Sequence, residues 1–181
     1  MDNPTTLLVA IMYVTIVATG LINLLMVLSD IVAGRRKTDP VHTGWIVLLL
    51  LAYFGFFWET TAILNIEGWD FLSFMCFIVG PIALLFATNL IASSVDPGEG
   101  KKLDQYYFEQ STGFFLWLAL TQAWIVGLDI VFDSVEYMTY LSASVGILFV
   151  FLMISKNYRL HMTGLIVVAL IFVSRTIFMA L

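Results

Sequence analysis

Six apolar runs, each long enough to cross a bilayer, divide this chain of 181 residues. A spanning helix needs about 20 mostly apolar residues. The runs cover roughly 6–30, 44–65, 71–92, 113–132, 138–155 and 162–181. No connection between them is large enough for a soluble domain. The reading is therefore a single transmembrane domain over 1–181, an all-α polytopic bundle of six transmembrane helices. In lipid every backbone polar group needs an internal partner, which favours helices over open sheets. Composition agrees, at 61% hydrophobic and 12% charged residues. Soluble domains average about 45–50% and about 25%. The start, MDNPTT, has no Lys or Arg before the first run, unlike a cleavable signal peptide. The lone Cys76 allows no internal disulfide and is expected as a small core residue.

Orientation follows from the basic residues. Arg35, Arg36 and Lys37 lie between the first two runs, Lys101 and Lys102 between the third and fourth, and Lys156 and Arg159 between the last two. These loops share one side and hold seven of the eight basic residues. The positive-inside rule makes that side cytoplasmic, with both termini outside and the chain in the inner (cytoplasmic) membrane. The other side carries only acids: Asp2, Glu67, Asp70, Asp133 and Glu136. A one-sign surface concentrates cations, though the topology rule alone also produces it. No basic stripe suits nucleic acid.

Three charges lie inside the runs. By helical rise, Glu59 is about 10 Å, Asp129 about 6 Å and Arg175 about 9 Å from the outer end of its helix. Their depths agree although they belong to three helices. Gly55, Ala62 and Ala52 flank Glu59, and small residues mark the side where membrane helices meet. Gln122, Asp129 and Asp133 share one face of the fourth run. Thr15, Thr19, Asn23 and Asp30 share a face of the first, and His161, Gly164, Val168, Ile171 and Arg175 a face of the sixth.

These faces are expected to meet. Glu59, Asp129 and Arg175 would form an outer cluster, Thr15, Thr19, Asn23 and Gln122 a polar stripe, and Asp30, His42 and His161 an inner interface. Intramembrane ionisable residues are functional candidates by default, here for a proton, a cation or a small polar solute. The competing reading is a structural Arg175–carboxylate pair, with Thr hydroxyls bonding their own helix.

His42 and His161 each begin a helix beside a basic loop without metal-ligand spacing, and are read as interfacial. Tyr106, Tyr107 and Phe108 suit the headgroup zone, Trp45 and Trp69 are expected as interface anchors, and Trp58, Trp117 and Trp124 as packing groups. Pro81 should kink the third helix. A short echo links His42-Thr43-Gly44 to His161-Met162-Thr163-Gly164, each following a basic loop. No Ser-centred elbow, HExxH, phosphate loop or selectivity-filter sequence occurs, so the reading leans away from an enzyme. The cofactor is unknown, and no metal site is indicated.

His42 and Trp45, FFWETT, GWDFLSF, Pro81, ATNLIASSVDP and LDQYYFEQSTGFF form a distinctive order. It resembles a group of uncharacterised bacterial multi-pass membrane proteins of about this size. They share a W-x-F-x-x-F segment, a Pro and an acidic D-x-Y-Y-F-E-x-x-x-x-F-F segment. The likeness covers about positions 39 to 133. It departs at Ser111 and Thr112, where the pattern implies a basic residue. The resemblance implies a bacterial helical bundle and brings no activity.

Two functions are expected from these readings. One is a small channel or transporter using Glu59, Asp129 and Arg175. The other is a non-catalytic membrane subunit binding lipid or partner helices, as a homo-oligomer or within a complex.

Overall fold

The computed structural model describes residues 4–64, 66, 68–93, 103–132 and 135–180, except the side chains of 59, 62, 63, 103–106, 132 and 176–180. The described residues form six α-helices and no strand: α1 (Pro4–Val32), α2 (Pro40–Ile63), α3 (Phe71–Ala92), α4 (Leu103–Phe132), α5 (Tyr137–Ile154) and α6 (Tyr158–Ala180). All six contain segments long and apolar enough to cross a membrane, so this is an integral, multi-pass membrane protein.

The helices begin where the sequence offers an acceptor. Asp39 Oδ1 accepts from the N–H groups of Val41 (2.8 Å) and His42 (3.4 Å), with Pro40 at the first helical position. Asp70 caps α3 through Ser73 N–H at 2.7 Å. That bond, with a second from the Ser73 side chain, holds the Asp70 carboxyl below its ordinary range. Its contribution to stability is therefore present at neutral pH and lost as pH falls through the depressed pKa. Glu136 and Thr139 form a capping box on α5, and Asn157 Oδ1 accepts from Arg159 N–H at the start of α6 (3.0 Å). The turn after α1 contains Gly34, whose φ of 69° is left-handed and suits a residue without Cβ. α4 begins about ten residues before the apolar run at 113–132. The polar segment LDQYYFEQST simply continues its helix.

Two sets of hydrogen bonds gather the helix ends. The loop after α1, the end of α3, the first turns of α4, and the α5–α6 junction meet at one end through Arg36, His42, Lys156 and Tyr158. Thr6 reaches Ile66 O (3.3 Å) and Thr139 reaches Asp129 (2.8 Å) at the opposite end. We call these the basic end and the acidic end. α1 packs on α2 and α3, α3 on α4, and α4 most closely on α5. α6 touches α2 and α5 more sparingly.

Close approaches occur where a glycine admits a large neighbour. A Cβ at Gly20 would collide with the Tyr53 ring, and one at Gly80 with the Trp124 indole. Tyr53 is fully buried between α1 and α3, and its hydroxyl lies 2.8 Å from Thr88 Oγ1. Thr88 donates its own proton to Leu84 O (2.9 Å), so Tyr53 is the donor in the pair. Trp124 donates Nε1–H to Cys76 O and stacks on Phe56 with centroids 6.1 Å apart. α3 continues helically through Pro81, which is buried next to this junction.

Several positions differ from the sequence expectation. Trp45 is not an interface anchor but a fully buried residue, edge-on to Phe114, Phe115 and Phe149 at 5.1–6.0 Å. Trp58 is not a packing group and lies largely exposed, as does Cys76. Tyr107 is buried rather than at a headgroup surface. The reason is common to all four: depth along a helix does not say which face a residue occupies. Gly55 also marks no close approach, because its face opens onto free space.

Gly20→Ala is expected to overpack against Tyr53 and cost about 1–3 kcal/mol, read as a lower melting temperature in detergent. Gly55→Ala should be neutral or slightly stabilising, since it meets no neighbour and improves helix propensity.

Candidate functional site

The last four carbonyls of a helix have no partner within it, and in lipid each unmet group costs several kcal/mol. At the end of α3 all four are met. Ser93 N–H bonds Asn89 O (3.0 Å) and Ser93 Oγ bonds Leu90 O (2.8 Å). His42 Nε2 reaches Ile91 O (2.9 Å), and Arg36 donates to Ala92 O (3.1 Å) and on to Ser93 O (3.2 Å). The end of α5 is treated similarly. His161 Nε2 meets Ser155 O at 3.0 Å.

Each histidine thus faces a carbonyl through Nε2, and a carbonyl only accepts. Both imidazoles are therefore protonated at Nε2, and Nδ1 of each pairs with a hydroxyl. His42 Nδ1 meets Thr38 Oγ1 at 2.7 Å, and His161 Nδ1 meets Tyr107 Oη at 2.7 Å. In the neutral imidazole those hydroxyls are the donors. Tyr107 stands edge-on to both rings, with centroids 6.3 and 5.4 Å away. The Trp45 indole N–H is buried beside the same hydroxyl without closing a hydrogen bond of good geometry.

Further polar groups close this end. Tyr158 Oη donates to the Asp39 carboxylate (3.1 Å), tying α6 to the cap of α2. Lys156 Nζ donates to Phe108 O (2.8 Å) and Thr112 Oγ1 (2.9 Å), with Ser111 Oγ at 3.4 Å. Lys156, from the loop after α5, thus ties that loop to α4. A cavity of about 10 Å³ lies between His42, Ile91, Tyr107, Gln110, Ser111 and Phe114. That is room for about one water molecule.

The other expected site residues are more dispersed. Asp129 Oδ2 accepts from Thr139 Oγ1, joining α4 to α5. Arg175 is half-buried on the α6 face that carries the buried His161 and Gly164 and the core-packed Val168 and Ile171. Its Nε is buried without a hydrogen-bond partner. The Glu59 side chain lies outside the described residues. Thr15 and Thr19 are exposed and donate to Ile11 O (2.7 Å) and Thr15 O (2.8 Å). Asn23 Nδ2 meets Asn89 Oδ1 at 3.2 Å across α1 and α3. Gln122 sits at the close α4–α5 approach, next to Gly146. Asp30 pairs with Arg35 at 2.7 Å on the basic-end surface, not with either histidine. His42 and His161 occupy basic-end helix starts as expected, but both are buried.

Sequence reasoning missed Thr38, Asp39, Tyr107, Tyr158 and Lys156 as parts of one network. Asn89 had a signal, a lone amide inside an apolar run. Among the described residues no three His, Cys, Asp or Glu side chains gather as metal ligands. No family model, curated protein or solved structure matches this chain.

Tyr107→Phe removes the hydroxyl at His161 Nδ1 and leaves a buried acceptor unmet. The expected cost is about 1–3 kcal/mol. In a double-mutant cycle with His161→Leu, the two losses should be non-additive by about 0.5 kcal/mol or more. Strict additivity in thermal unfolding would rule out the pairing.

Proposed function

We propose that this protein is a non-catalytic membrane subunit, which holds lipid or partner helices against its apolar and aromatic surface. One observation carries the reading: Asp129, Thr15, Thr19, His42 and His161, polar side chains that a crossing path would use, all have hydrogen-bond partners. Asp129 is taken by Thr139, the Thr15 and Thr19 hydroxyls by their own helix, and both nitrogens of His42 and His161 by fixed partners. Proton or solute carriage needs groups that exchange partners, and these are fasteners. The exposed surface supports the same reading. Phe54, Phe57, Trp58, Phe71, Phe86 and Phe151 all present rings outward.

A second reading has one observation in its favour. A cavity lies beside His42 and Tyr107, and Tyr107 in turn bonds His161. A small permeation protein for a proton, a cation or a polar solute would use it together with Glu59, Asp129 and Arg175. A reading common to both puts the basic loops in the cytoplasm and the protein in an oligomer or complex.

Proteoliposomes separate the two. Purified wild type should show no proton or potassium flux above protein-free vesicles under an imposed gradient. A flux that Glu59→Gln abolishes would overturn the subunit reading.

A further inference from the structure

We propose that the acidic-end half of α6 binds one anionic phospholipid, whose phosphate accepts hydrogen bonds from Arg175. The inference rests on the lipid-binding surface proposed above and names its headgroup and residue.

Coverage is the first argument. Only 11% of the spanning window of α6 is buried inside the protein, against 22–39% for the other five. Its glycine approaches, Gly44 to Leu165 and Gly164 to Leu152, both lie in the basic-end half. Beyond them Ile166, Leu170 and Val173 are exposed, an apolar flank suited to an acyl chain.

Charge is the second. Arg175 carries a buried Nε–H with no acceptor, and an unmet donor on a cation is costly in low dielectric. The described carboxylates at this end are engaged elsewhere. Asp70 caps α3, Glu136 belongs to the α5 capping box, and Asp129 accepts from Thr139. A phosphate matches the guanidinium fork better than a point acceptor does.

Depth is the third. Arg175 lies fourteen residues beyond the basic-end His161. That is about 21 Å by helical rise, and so in the acidic-end third of a hydrocarbon core about 30 Å thick. Long basic side chains extend toward the headgroup level from such positions. Among the described residues Arg175 is the only Lys or Arg at the acidic end, so an anionic headgroup there is assigned to it.

The test uses full-length protein in nanodiscs of equal parts phosphatidylglycerol and phosphatidylcholine, released into a native mass spectrometer. Wild type should retain one more phosphatidylglycerol than Arg175→Gln. That lipid's affinity should fall about tenfold, the scale of one charge-assisted contact. Phosphatidylcholine retention should be unchanged. Arg175→Leu, whose side chain suits lipid, serves where the glutamine variant does not fold. Equal phosphatidylglycerol counts in wild type and variant overturn the site. So does a strongly non-additive thermal loss in Glu59→Gln and Arg175→Gln, which would assign the guanidinium to Glu59. Lipid retained without headgroup preference removes the Arg175 site and leaves the surface reading standing. No lipid retained at all removes the lipid part of both.

Discussion

The carbonyls at the end of α3 are the constraint on which the basic end depends. A helix that stops near a membrane surface leaves four acceptors open. Water meets them at an exposed end, but α3 stops among other helices. Its last carbonyls are reached by Ser93 from the same chain segment and by His42 and Arg36 from the α1–α2 region. Placing His42 there sets the start of α2, and Asp39, which caps that start, is held in turn by Tyr158. One unmet-carbonyl problem therefore couples α1, α2, α3 and α6.

The aromatic cluster makes that coupling rigid. Trp45 lies one turn beyond His42 and packs edge-on against Phe115, which is also edge-on to His161 with centroids 5.2 Å apart. Edge-to-face pairs contribute about 0.5–1.5 kcal/mol beyond area burial. In lipid, where apolar surface gains little by leaving its solvent, such packing and polar pairing hold helices together. The two histidines thus sit between a hydrogen-bonded floor and an aromatic roof. Each has both nitrogens hydrogen-bonded.

The helical architecture was legible because it follows from run length and from backbone hydrogen bonding in lipid. Phe71–Ala92 matches its expected bounds to the residue, since Asp70 caps one end and Ser93 breaks the other. The faces of α6 were also legible: the periodicity through His161, Gly164, Val168 and Ile171 is the face that packs. The face of α1 was not. Thr15, Thr19 and Asn23 recur at the spacing of a bundle-facing stripe, yet a Thr hydroxyl meets its own helix carbonyl and needs no neighbour. Gly20 and Tyr13 lie on the buried side instead. The partnership of Tyr107 with His161 spans 54 residues and two helices. No local pattern carries it, because it depends on which helix lies beside which.

The charge asymmetry also has a second meaning beyond topology. The basic end collects the C-termini of α1, α3 and α5, where a helix presents partial negative charge. Arg36 and His161 act there, donating to the ends of α3 and α5, while Lys156 turns back onto α4. The acidic end collects the N-termini of α3 and α5, and Asp70 and Glu136 cap them. Arg36, Asp70 and Glu136 thus each complete a helix end near which they lie. The fourth N-terminal cap, Asp39, is the exception, an acid at the basic end. It serves because α2 begins there, and its remaining lone pairs are taken by Tyr158 rather than by a cation. Arg175 is the converse exception, a cation at the acidic end. Its Nε is buried without a hydrogen-bond partner, whereas Arg36 is held by the carbonyls at the end of α3.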